Sequence, residues 1–551
     1  MTTTDRSDTA WARWTGAGFW NIYFLGIFAL AQGGYLRLNL AYNAALLAFV
    51  LWPLETRWLR VLRQAIALPA AFALAWHQSW LPGPDAVLAN AANLADFSFE
   101  YLIELVTGAV SPVWAAAVFA AVAALLLLGR WVRLTAVTLA WFAFLLVKPW
   151  VMPYFSAPVP GVEVGAQPVR TASEVKAAGA VPVASNDPVA QTEPATPDGI
   201  EAWYKRFIAY ERDRKAEFPS ERPADAVPFD IVILNICSLS DDDLAVSKLD
   251  AHPVLSRFDI RFANFSSATA YSGPATLRLL RGACGQPAHQ ALYDGRAASC
   301  ETMNLLGGLG FSQSLYMDHN GKFDDYLTSL RERAGLTPDL SPLSRLRVRY
   351  EAFDGEPIYD SADLLNAWLS DREKAADAQG NASVFNLVAL HDGNRLPGTK
   401  KSMAFEPRAK ALLDDLDQWM DKVEASGRRV MLVVVPEHGA AVRGDRIQMA
   451  RLREIPSPHI TRVPAAVKFF GVKTDARTVV KDEMSYLGLT SLIGRVIEGD
   501  VWKEEAVSTA ELVKDLPGTH SVSENSGARV LFYHGKPWVS LRGEEWLPYE
   551  E

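Results

Sequence analysis

The sequence is poor in cysteine, because Cys237, Cys284 and Cys300 are the full set in 551 residues. So few cysteines leave the redox compartment open, and the topology of the chain has to decide it. An excess of positive charge is also lacking, since the formal net charge is −9, and this argues against nucleic acid as a partner. The start of the chain, from Met1 to Arg13, is polar and mixed in charge. A cleavable signal peptide is therefore not expected.

The hydrophobic residues, which make up 50% of the chain, are concentrated near its start. Five apolar segments precede residue 154, and each is long enough, or nearly so, to cross about 30 Å of hydrocarbon as a helix. They cover roughly residues 16–36, 38–54, 61–80, 111–129 and 133–153. Residues 1–153 are therefore predicted to form an α-helical membrane domain of about five transmembrane helices.

The distribution of charged residues predicts the orientation of these helices. Arginines occupy the connection between the second and third segments and the one between the fourth and fifth, namely Arg57, Arg60, Arg63, Arg130 and Arg133. The loop from about 81 to 110 contains carboxylates but no Lys or Arg. By the positive-inside rule the arginine connections face the cytoplasm and the acidic loop faces outward. With five crossings, everything after residue 153 is then expected outside the cytoplasm.

The rest of the chain divides into a linker and a soluble domain. The linker covers residues 154–226 and is rich in Pro, Ala, Val and Thr from about residue 156. Its part up to residue 198 is typical of a semi-extended tether, and an amphipathic helix is predicted at about 200–215, between the tether and the domain. Within residues 227–551, strands are predicted at 228–237, 314–317, 384–390 and 430–435, and helices at 275–281, 361–375 and 406–424. This alternation favours an α/β domain with a largely parallel central sheet. Such sheets bind ligands beyond the carboxyl ends of their strands.

Three potential metal ligands follow predicted strands. Cys237 stands at the end of the first strand, and Glu437 and His438 come after the last. A thiolate, a carboxylate and an imidazole together suit zinc. On a regular strand Glu437 and His438 would point to opposite faces, but Pro436 and Gly439 indicate that the strand has ended, so both can turn inward. The alternative for each of the three is a structural role. Cys237 would be a buried thiol, Glu437 a surface carboxylate, and His438 a histidine whose hydrogen bonds are made within the protein.

The stretch Ala270–Thr276 contains the best candidate for a nucleophile. It precedes a helical pattern in which Pro274 suits the first turn, so Ser272 should lie at or just before the N-cap. Unpaired backbone N–H groups there favour an anion, such as a phosphate under attack by the serine oxygen. That oxygen could be a fourth zinc ligand, which would make it a strong nucleophile because the metal stabilises the alkoxide. A serine that only caps the helix is the alternative for this stretch taken alone.

Further candidates for roles at this site are polar side chains close to these motifs. His391 directly follows a predicted strand and could act as general acid or base for a leaving alcohol. The polar loop 452–459 could carry phosphate contacts. The candidate set is His391, Tyr271, Arg278, Arg453, His459 and Arg462. A solvated surface position is the alternative for each arginine. The remaining histidines near these motifs or the C-terminus are interpreted as structural or exposed: His289, His319, His520 and His534.

Cys284 and Cys300 enclose a short loop that contains Gly285, Pro287 and Gly295. In an oxidising compartment these two cysteines could form a disulfide behind Ser272. Cys237 would then be the odd thiol, which favours metal ligation over pairing.

Several motifs carry a family resemblance. They are Asn235–Ser240, Ala270–Pro274, Leu390–Asn394, Pro436–Gly439 and Leu452–Pro458, with Gly535–Val539 and Glu545–Tyr549 near the C-terminus. In these motifs the chain resembles the cellulose phosphoethanolamine transferases (the BcsG family), inner-membrane proteins of the alkaline-phosphatase superfamily. The likeness extends over nearly the whole chain. A cysteine ligand combined with Glu-His, in place of an acidic ligand with Asp-His, is fairly specific to this family.

The resemblance implies an alkaline-phosphatase-like catalytic domain in the periplasm, attached to helices in the bacterial inner membrane. It implies one zinc ion held by a set of four ligands: Cys237, Ser272, Glu437 and His438. Ser272 would be the nucleophile, and Tyr271 and His391 would lie near the phosphate. A disulfide between Cys284 and Cys300 is implied as well.

The resemblance also implies the substrates. The donor would be phosphatidylethanolamine, a membrane lipid, and the acceptor would be the 6-hydroxyl of glucose units in nascent cellulose. The inner-membrane cellulose synthase complex is the expected protein partner. Transfer would take two displacements, through a phosphoethanolamine group carried by Ser272.

Three rival functions remain open at the level of sequence. A phosphoethanolamine transferase acting on lipid A would use the same chemistry with another acceptor. A non-catalytic scaffold of a polysaccharide synthase could keep the metal site for structure alone. A sulfatase or phosphatase is disfavoured, because sulfatases of this superfamily need a Cys/Ser-x-Pro-x-Arg motif, and Thr276 stands where that motif has arginine.

Overall fold

The computed structural model describes residues 16–80, 112–155, 189–295, 297–375 and 379–549. These residues belong to two compact units, the first made of 16–80 with 112–155 and the second of 189–549. The predicted acidic loop at about 81–110 and most of the predicted tether lie outside the described residues.

The first unit is helical. Its helices are α1 (Trp20–Gln32), α2 (Leu40–Leu51), α3 (Arg57–Gln78), α4 (Pro112–Leu128) and α5 (Leu134–Phe155). One helix lies in each of the five predicted apolar segments. Among the described residues, α3 is the one helix that has both the length and the composition to cross a membrane. The other apolar helices count over 10–17 residues, and α5 counts over its Leu134–Lys148 part. The number of transmembrane crossings therefore stays a prediction.

Buried polar side chains pair with one another between the helices of the first unit. Asn43 on α2 donates to Oε1 of Gln78 on α3 at 2.7 Å, and the hydroxyl of Thr138 on α5 donates to Asn21 on α1 at 3.0 Å. Because a buried polar group without a partner is costly, these pairs fix which faces of the helices meet.

The second unit is built on a seven-stranded mixed sheet. Its strands are β1 (Asp230–Ile236), β2 (Ile260–Phe265), β3 (Ser312–Met317), β6 (Asn381–Leu387), β7 (Val430–Pro436), β8 (Ala466–Phe470) and β9 (Thr478–Met484), in the order β3-β6-β1-β7-β8-β2-β9. The pairs β3–β6, β6–β1, β1–β7 and β2–β9 are parallel, whereas β8 is antiparallel to both β7 and β2. The predicted α/β domain with a largely parallel sheet is therefore confirmed.

Helices cover both faces of this sheet. They are α7 (Asp241–Val246), α8 (Ser272–Leu280), α9 (Thr302–Gly308), α10 (Tyr326–Ala334), α11 (Ser361–Lys374), α12 (Phe405–Ala425), α13 (Pro458–Thr461), α14 (Tyr486–Glu498) and α15 (Thr509–Val513). Along β1, Ile231 and Ile233 pack in one core with α8 and α14, while Val232 and Leu234 pack in another with α11 and α12. A strand that is buried on both faces has no polar alternation, which is why β1 is an apolar run.

Two smaller sheets complete the second unit. β10 (Val522–Glu524), β11 (Ala528–Tyr533), β12 (Lys536–Leu541) and β13 (Leu547–Pro548) form an antiparallel sheet, and β4 (Val348–Glu351) pairs with β5 (Pro357–Tyr359). The predicted amphipathic helix at 200–215 is α6 (Pro197–Asp213). Its Trp203 and Phe207 pack in one apolar cluster with Tyr533 and Trp546 of the C-terminal region. This helix is therefore part of the second compact unit.

One predicted strand ends earlier than expected. β6 ends at Leu387 rather than at Leu390, so His391 does not directly follow the strand. The neighbouring strand β3 ends at Met317, and the carboxylate of Asp318 accepts the N–H of Val388 at 2.8 Å in place of a strand carbonyl. The chain then turns, with the N–H of His391 donating to the carbonyl of Val388 at 2.9 Å.

Candidate active site

The strand directions bring the candidate residues to one edge of the sheet. β1, β6 and β7 are parallel, and β2 runs the same way as β7 because β8 is antiparallel to both. Cys237 follows β1 and Glu437 follows β7, so both lie at the carboxyl edge. The segment after β2 leaves from the same edge and leads into α8, whose first residue is Ser272.

Cys237, Glu437 and His438 form a fully buried cluster whose possible ligand atoms all lie within 4.8 Å of one another. Nε2 of His438 is 3.9 Å from Sγ of Cys237 and 3.8 Å from Oε2 of Glu437. Nδ1 of His438 lies 2.9 Å from the carbonyl oxygen of Gly439, to which it donates its proton. Nε2 of the neutral ring is therefore the unprotonated nitrogen, and it faces the other two side chains.

The pKa values of the cluster follow from its burial. Burial and the nearby Glu437 raise the pKa of the Cys237 thiol to about 12. Burial and the positive charge of Arg453 hold the pKa of His438 well below its usual range. A cation placed among these side chains would favour the thiolate and would leave the imidazole as a neutral donor.

The donor set fits a metal ion. Oε2 of Glu437 is buried and has no hydrogen-bond partner among the described residues, although a buried carboxylate oxygen ordinarily has one. One sulfur, one carboxylate oxygen and one imidazole nitrogen converge there, with the Ser272 hydroxyl beside them. A four-coordinate zinc site takes ligands of these types.

Ser272 directs its side chain to this cluster instead of capping the helix. Its Oγ is 3.3 Å from Sγ of Cys237 and 3.2 Å from Nε2 of His438. Tyr271 occupies the N-cap position and makes no side-chain cap, so Ser272 is one residue further into the helix than the sequence suggested. A Cβ added at the next residue, Gly273, would meet no atom of the described residues within 4 Å. The start of α8 therefore leaves room beside the serine oxygen.

Arg453 brings a positive charge next to the cluster. Its Nη1 lies 3.2 Å from Nδ1 of His438 and 3.4 Å from Oγ of Ser238. Its guanidinium lies 5.8 Å from the centre of the Tyr271 ring, and the Tyr271 hydroxyl donates to Oε1 of Glu454 at 2.8 Å. Burial and the charge of Glu454 raise the pKa of Tyr271 far above its usual range, so the phenol stays protonated.

Asn525 holds the loop that carries Arg453 against the segment before Ser272. Its amide nitrogen donates to the carbonyls of Arg453 and Glu454 at 2.8 and 3.0 Å. Its amide oxygen accepts from the hydroxyl of Thr269 and the N–H of Ala270 at 3.0 and 3.1 Å. Sequence reasoning missed Asn525, because it lies in a short strand-end segment without a motif of its own.

His391 lies near the cluster. Burial, and after it the charge of Arg453, lowers the pKa of His391 to about 4, and a positive charge on His391 would in turn lower the pKa of His438. Its Nδ1 donates to the carbonyl oxygen of Asp392 at 2.8 Å, so the neutral ring carries its lone pair on Nε2. The carbonyl of His391 accepts from Nη1 of Arg408 at 2.8 Å, which fixes the turn after β6.

The other candidates contact different groups. Arg278 is buried, with Nη1 donating to the carbonyl of Pro287 at 2.7 Å and Nη2 lying 3.7 Å from Oε2 of Glu524. His459 lies 3.1 Å from Oγ of Ser457 and 3.8 Å from Oδ2 of Asp445. Arg462 is exposed. The structure thus brings Tyr271, Ser272, His391 and Arg453 to the cluster and gives Arg278 and His459 other contacts.

Cys284 and Cys300 form a disulfide, as the sequence predicted, with a sequence separation of 16. It joins the residues after α8 to the residues before α9, and the N–H of Ala283 donates to the carbonyl of Cys300 at 3.3 Å. Cys237 is the free cysteine and is buried.

Comparisons with known proteins place the chain in a family context. The cellulose biosynthesis protein BcsG N-terminal domain matches residues 20–147, and the cellulose biosynthesis protein BcsG C-terminal domain matches residues 184–546. Proteins named "Cellulose biosynthesis protein BcsG" from Salmonella typhimurium and Escherichia coli K12 are each 42% identical over 551 residues, which cover 98% of this chain and 98% of the relative. A solved structure of an alkaline phosphatase superfamily protein from Vibrio parahaemolyticus matches 61% of this chain and 84% of its own, with 15% identity and a TM-score of 0.43.

Proposed function

Because the chain belongs to the BcsG family of cellulose biosynthesis proteins, we propose that it is a phosphoethanolamine transferase. The donor is phosphatidylethanolamine, and the acceptor is the 6-hydroxyl of glucose units in nascent cellulose. The observation that carries this proposal is the position of Ser272, whose oxygen lies within 3.3 Å of both Cys237 and His438 at the start of a helix. A nucleophile held beside a set of metal ligands suits phosphoryl transfer.

Four side chains would hold a single zinc ion: Cys237, Glu437, His438 and Ser272. Zinc would supply positive charge that favours the deprotonated serine oxygen and offsets negative charge on the phosphoryl group. The carbonyl of Gly439 fixes the tautomer of His438, as such a partner commonly does for metal-ligating histidines.

The transfer proceeds by two displacements at phosphorus. In the first, Oγ of Ser272 forms a bond to phosphorus while the bond to the diacylglycerol oxygen breaks, and diacylglycerol leaves with the proton that the serine loses. In the second, the 6-hydroxyl of a glucose unit forms the new bond and the bond to Ser272 breaks. Neutral His391, with its free lone pair on Nε2, accepts the proton of that hydroxyl and passes it to the departing Oγ of Ser272, which restores the serine hydroxyl.

Two features of this chain hold the phosphate during both steps. The guanidinium of Arg453 lies beside His438 and Tyr271 and provides charged N–H donors. The N–H groups of Ser272 and Gly273, in the first turn of α8, provide the positive end of a helix. Tyr271, held by Glu454, keeps the guanidinium over its ring.

The site belongs to a chain whose first part lies in a membrane and whose catalytic part lies in an oxidising compartment. Residues 1–153 form five transmembrane helices of the bacterial inner membrane, residues 154–226 a linker, and residues 227–551 the periplasmic catalytic domain, against which α6 of the linker packs. Large apolar side chains exposed on the helices support the membrane part, among them Phe72 at 68% and Phe119 at 78%. The disulfide between Cys284 and Cys300 supports an oxidising compartment for the catalytic part.

The test is a transfer assay with the full chain in vesicles that contain phosphatidylethanolamine labelled in its headgroup. Cellulose oligosaccharides and lipid A are offered as separate acceptors, and Ser272→Ala serves as the control. Label that reaches the oligosaccharide with the wild-type chain, but not with Ser272→Ala, supports the proposal. Label that reaches only lipid A would reject the cellulose acceptor, and no transfer by the zinc-loaded wild-type chain would favour a scaffold.

A further inference from the structure

The two oxygens of the Glu437 carboxylate have different surroundings. Oε1 accepts a hydrogen bond from Nδ2 of Asn386 at 2.6 Å and lies 3.0 Å from the hydroxyl of Thr276 and 3.2 Å from that of Tyr326. Oε2 has no hydrogen-bond partner among the described residues, although the side chain is fully buried. One oxygen of this carboxylate thus has a full set of hydrogen-bond partners, whereas the other oxygen has none and faces His438.

His319 determines which way the Asn386 amide points. Nδ1 of His319 accepts the N–H of Gly321 at 3.2 Å, so the proton of the neutral ring is on Nε2. That N–H donates to Oδ1 of Asn386 at 2.8 Å, which leaves the amide nitrogen directed at Glu437 and at Oδ1 of Asn235, 3.0 Å away. A flipped amide would place its oxygen against the carboxylate and its nitrogen against the donor of His319.

The hydroxyl groups of Tyr326 and Thr276 form a series of hydrogen bonds that ends at Oε1 of Glu437. Each hydroxyl has one proton, and the oxygens of Tyr326 and Thr276 are 2.8 Å apart. The Tyr326 hydroxyl can therefore donate to Thr276, whose own proton can go to Oε1 of Glu437 at 3.0 Å, with Oδ1 of Asn235 at 3.1 Å as its other acceptor. With the amide of Asn386, this gives Oε1 two donors and fills its lone pairs.

We propose that Asn386, Thr276, Tyr326 and His319 are positioning residues that hold Glu437 as a one-oxygen ligand and thereby set the affinity of the site for zinc. This inference rests on the proposed function. A carboxylate that is free to rotate could offer either oxygen or both, whereas one anchored through Oε1 presents Oε2 alone in a fixed direction. Ligand partners of this kind tune metal affinity in other metalloproteins.

The same network joins the metal ligands to the nucleophile. Thr276 lies one turn after Ser272 on α8, Asn386 lies on β6, and His319 and Tyr326 bracket the segment between β3 and α10. Loss of a hydrogen bond in this network would therefore displace the Glu437 carboxylate relative to the helix that carries the nucleophile.

The test is the dissociation constant for zinc of the purified full chain, measured at neutral pH by competition with a chromophoric chelator. Tyr326→Phe and Thr276→Val each remove one hydroxyl and keep the side-chain shape. We expect each to weaken zinc binding about ten-fold, the lower end of such effects. The matched control is Tyr316→Phe, whose hydroxyl donates to Asp371 at 2.9 Å in the core on the other face of the sheet. It should bind zinc as the wild-type chain does.

A second pair of variants tests His319 without relying on the hydroxyls. His319→Phe removes the donor to Asn386, whereas His319→Gln keeps an amide N–H at a similar reach. Zinc affinity should fall about ten-fold or more in the first and recover toward the wild-type value in the second. A merely structural role would not give this recovery together with an unaffected Tyr316→Phe.

The possible results separate this inference from the proposed function. Wild-type zinc binding with unchanged affinity in Tyr326→Phe, Thr276→Val and His319→Phe would overturn the positioning role and leave the proposed function intact. No zinc binding by the wild-type chain would overturn both.

Discussion

Oγ of Ser272 lies 3.2 Å from Nε2 of His438. The other ring nitrogen of His438 is committed to the carbonyl of Gly439 at 2.9 Å, so Nε2 meets the serine without a proton of its own. A serine at the start of a helix ordinarily turns its oxygen back to the helix N–H groups, but here the oxygen points to the ligand cluster. This relationship, more than the helix start itself, supports the proposal that Ser272 is a nucleophile and not only a cap.

Two arginines that look alike in the sequence should give opposite results when changed to methionine. Arg453→Met removes a charge beside the reacting groups, and transfer should fall about 100-fold with little change in stability. Arg278→Met leaves the buried carboxylate of Glu524 without its cation, and the free energy of unfolding should fall by about 3–5 kcal/mol. Transfer per folded molecule of Arg278→Met should stay near the wild-type value.

The measurements are transfer of labelled headgroup and urea unfolding followed by pulse proteolysis, each on the full chain. Loss of transfer in a folded Arg278→Met protein would instead support the direct substrate contact that the sequence suggested.

Replacing both Cys284 and Cys300 by serine should destabilise the catalytic part of the chain. The disulfide closes a loop with a sequence separation of 16, for which the loss of chain entropy in the unfolded state amounts to about 3 kcal/mol. The urea midpoint for proteolysis of residues 189–549 should fall accordingly. Zinc affinity of the folded protein should not change, and a change there would show that the disulfide also shapes the site.

Zinc affinity should rise with pH. The thiol of Cys237, whose pKa burial and Glu437 raise to about 12, is protonated at neutral pH before zinc binds and must lose its proton to become a ligand. His438, whose pKa is well below its usual range, is already neutral and releases no proton. The proton released by this thiol gives about a ten-fold gain in affinity per pH unit, and a proton released by Ser272 on binding zinc would add to that slope.

Chelator competition at several pH values around neutrality measures this slope. An affinity that does not depend on pH would mean that the thiolate is not among the ligands.

His391→Phe should separate the two transfer steps. His391, with a pKa of about 4, is neutral across the neutral range and is the proposed base, so the variant should slow attack by the glucose hydroxyl by about 10²–10⁴-fold. Loading of Ser272 should continue, and the loaded protein should accumulate during turnover. For the wild-type chain, acid should remove the contribution of this base only as the pH approaches the pKa of about 4. Loading and transfer that fail together would place His391 in both steps.

The sequence predicted that Cys237, Glu437 and His438 would lie together, because they follow long strands that are buried on both faces. The apolar runs of β1 and β7 end at Ile236 and Pro436, so the order of residues along the chain was enough to assign Cys237, Glu437 and His438 to one sheet edge. The family resemblance, which is confirmed over the whole chain, pointed to the same residues.

The surroundings of the cluster could not be predicted in the same way. β2 and β9 are only partly buried, so their sequences lack the continuous apolar run that marks β1. Asn386 faces Asn235 across a parallel pair, and that register depends on the whole sheet. Asn235 and Asn386 could nonetheless have been recognised in the sequence, because an amide within a buried apolar strand needs a hydrogen-bond partner. Tyr326 and His319 belong to a connection whose path no local pattern specifies.

The most direct test of the central claim is the intact mass of the full chain after incubation with phosphatidylethanolamine, beside Ser272→Ala treated identically. We expect a gain of one phosphoethanolamine group that maps to Ser272 and is absent from the control. Discharge of this group on addition of a cellulose oligosaccharide would complete the cycle. A zinc-loaded, folded wild-type chain that gains no mass, or a gain that persists in Ser272→Ala, would contradict the assignment of Ser272 as the nucleophile.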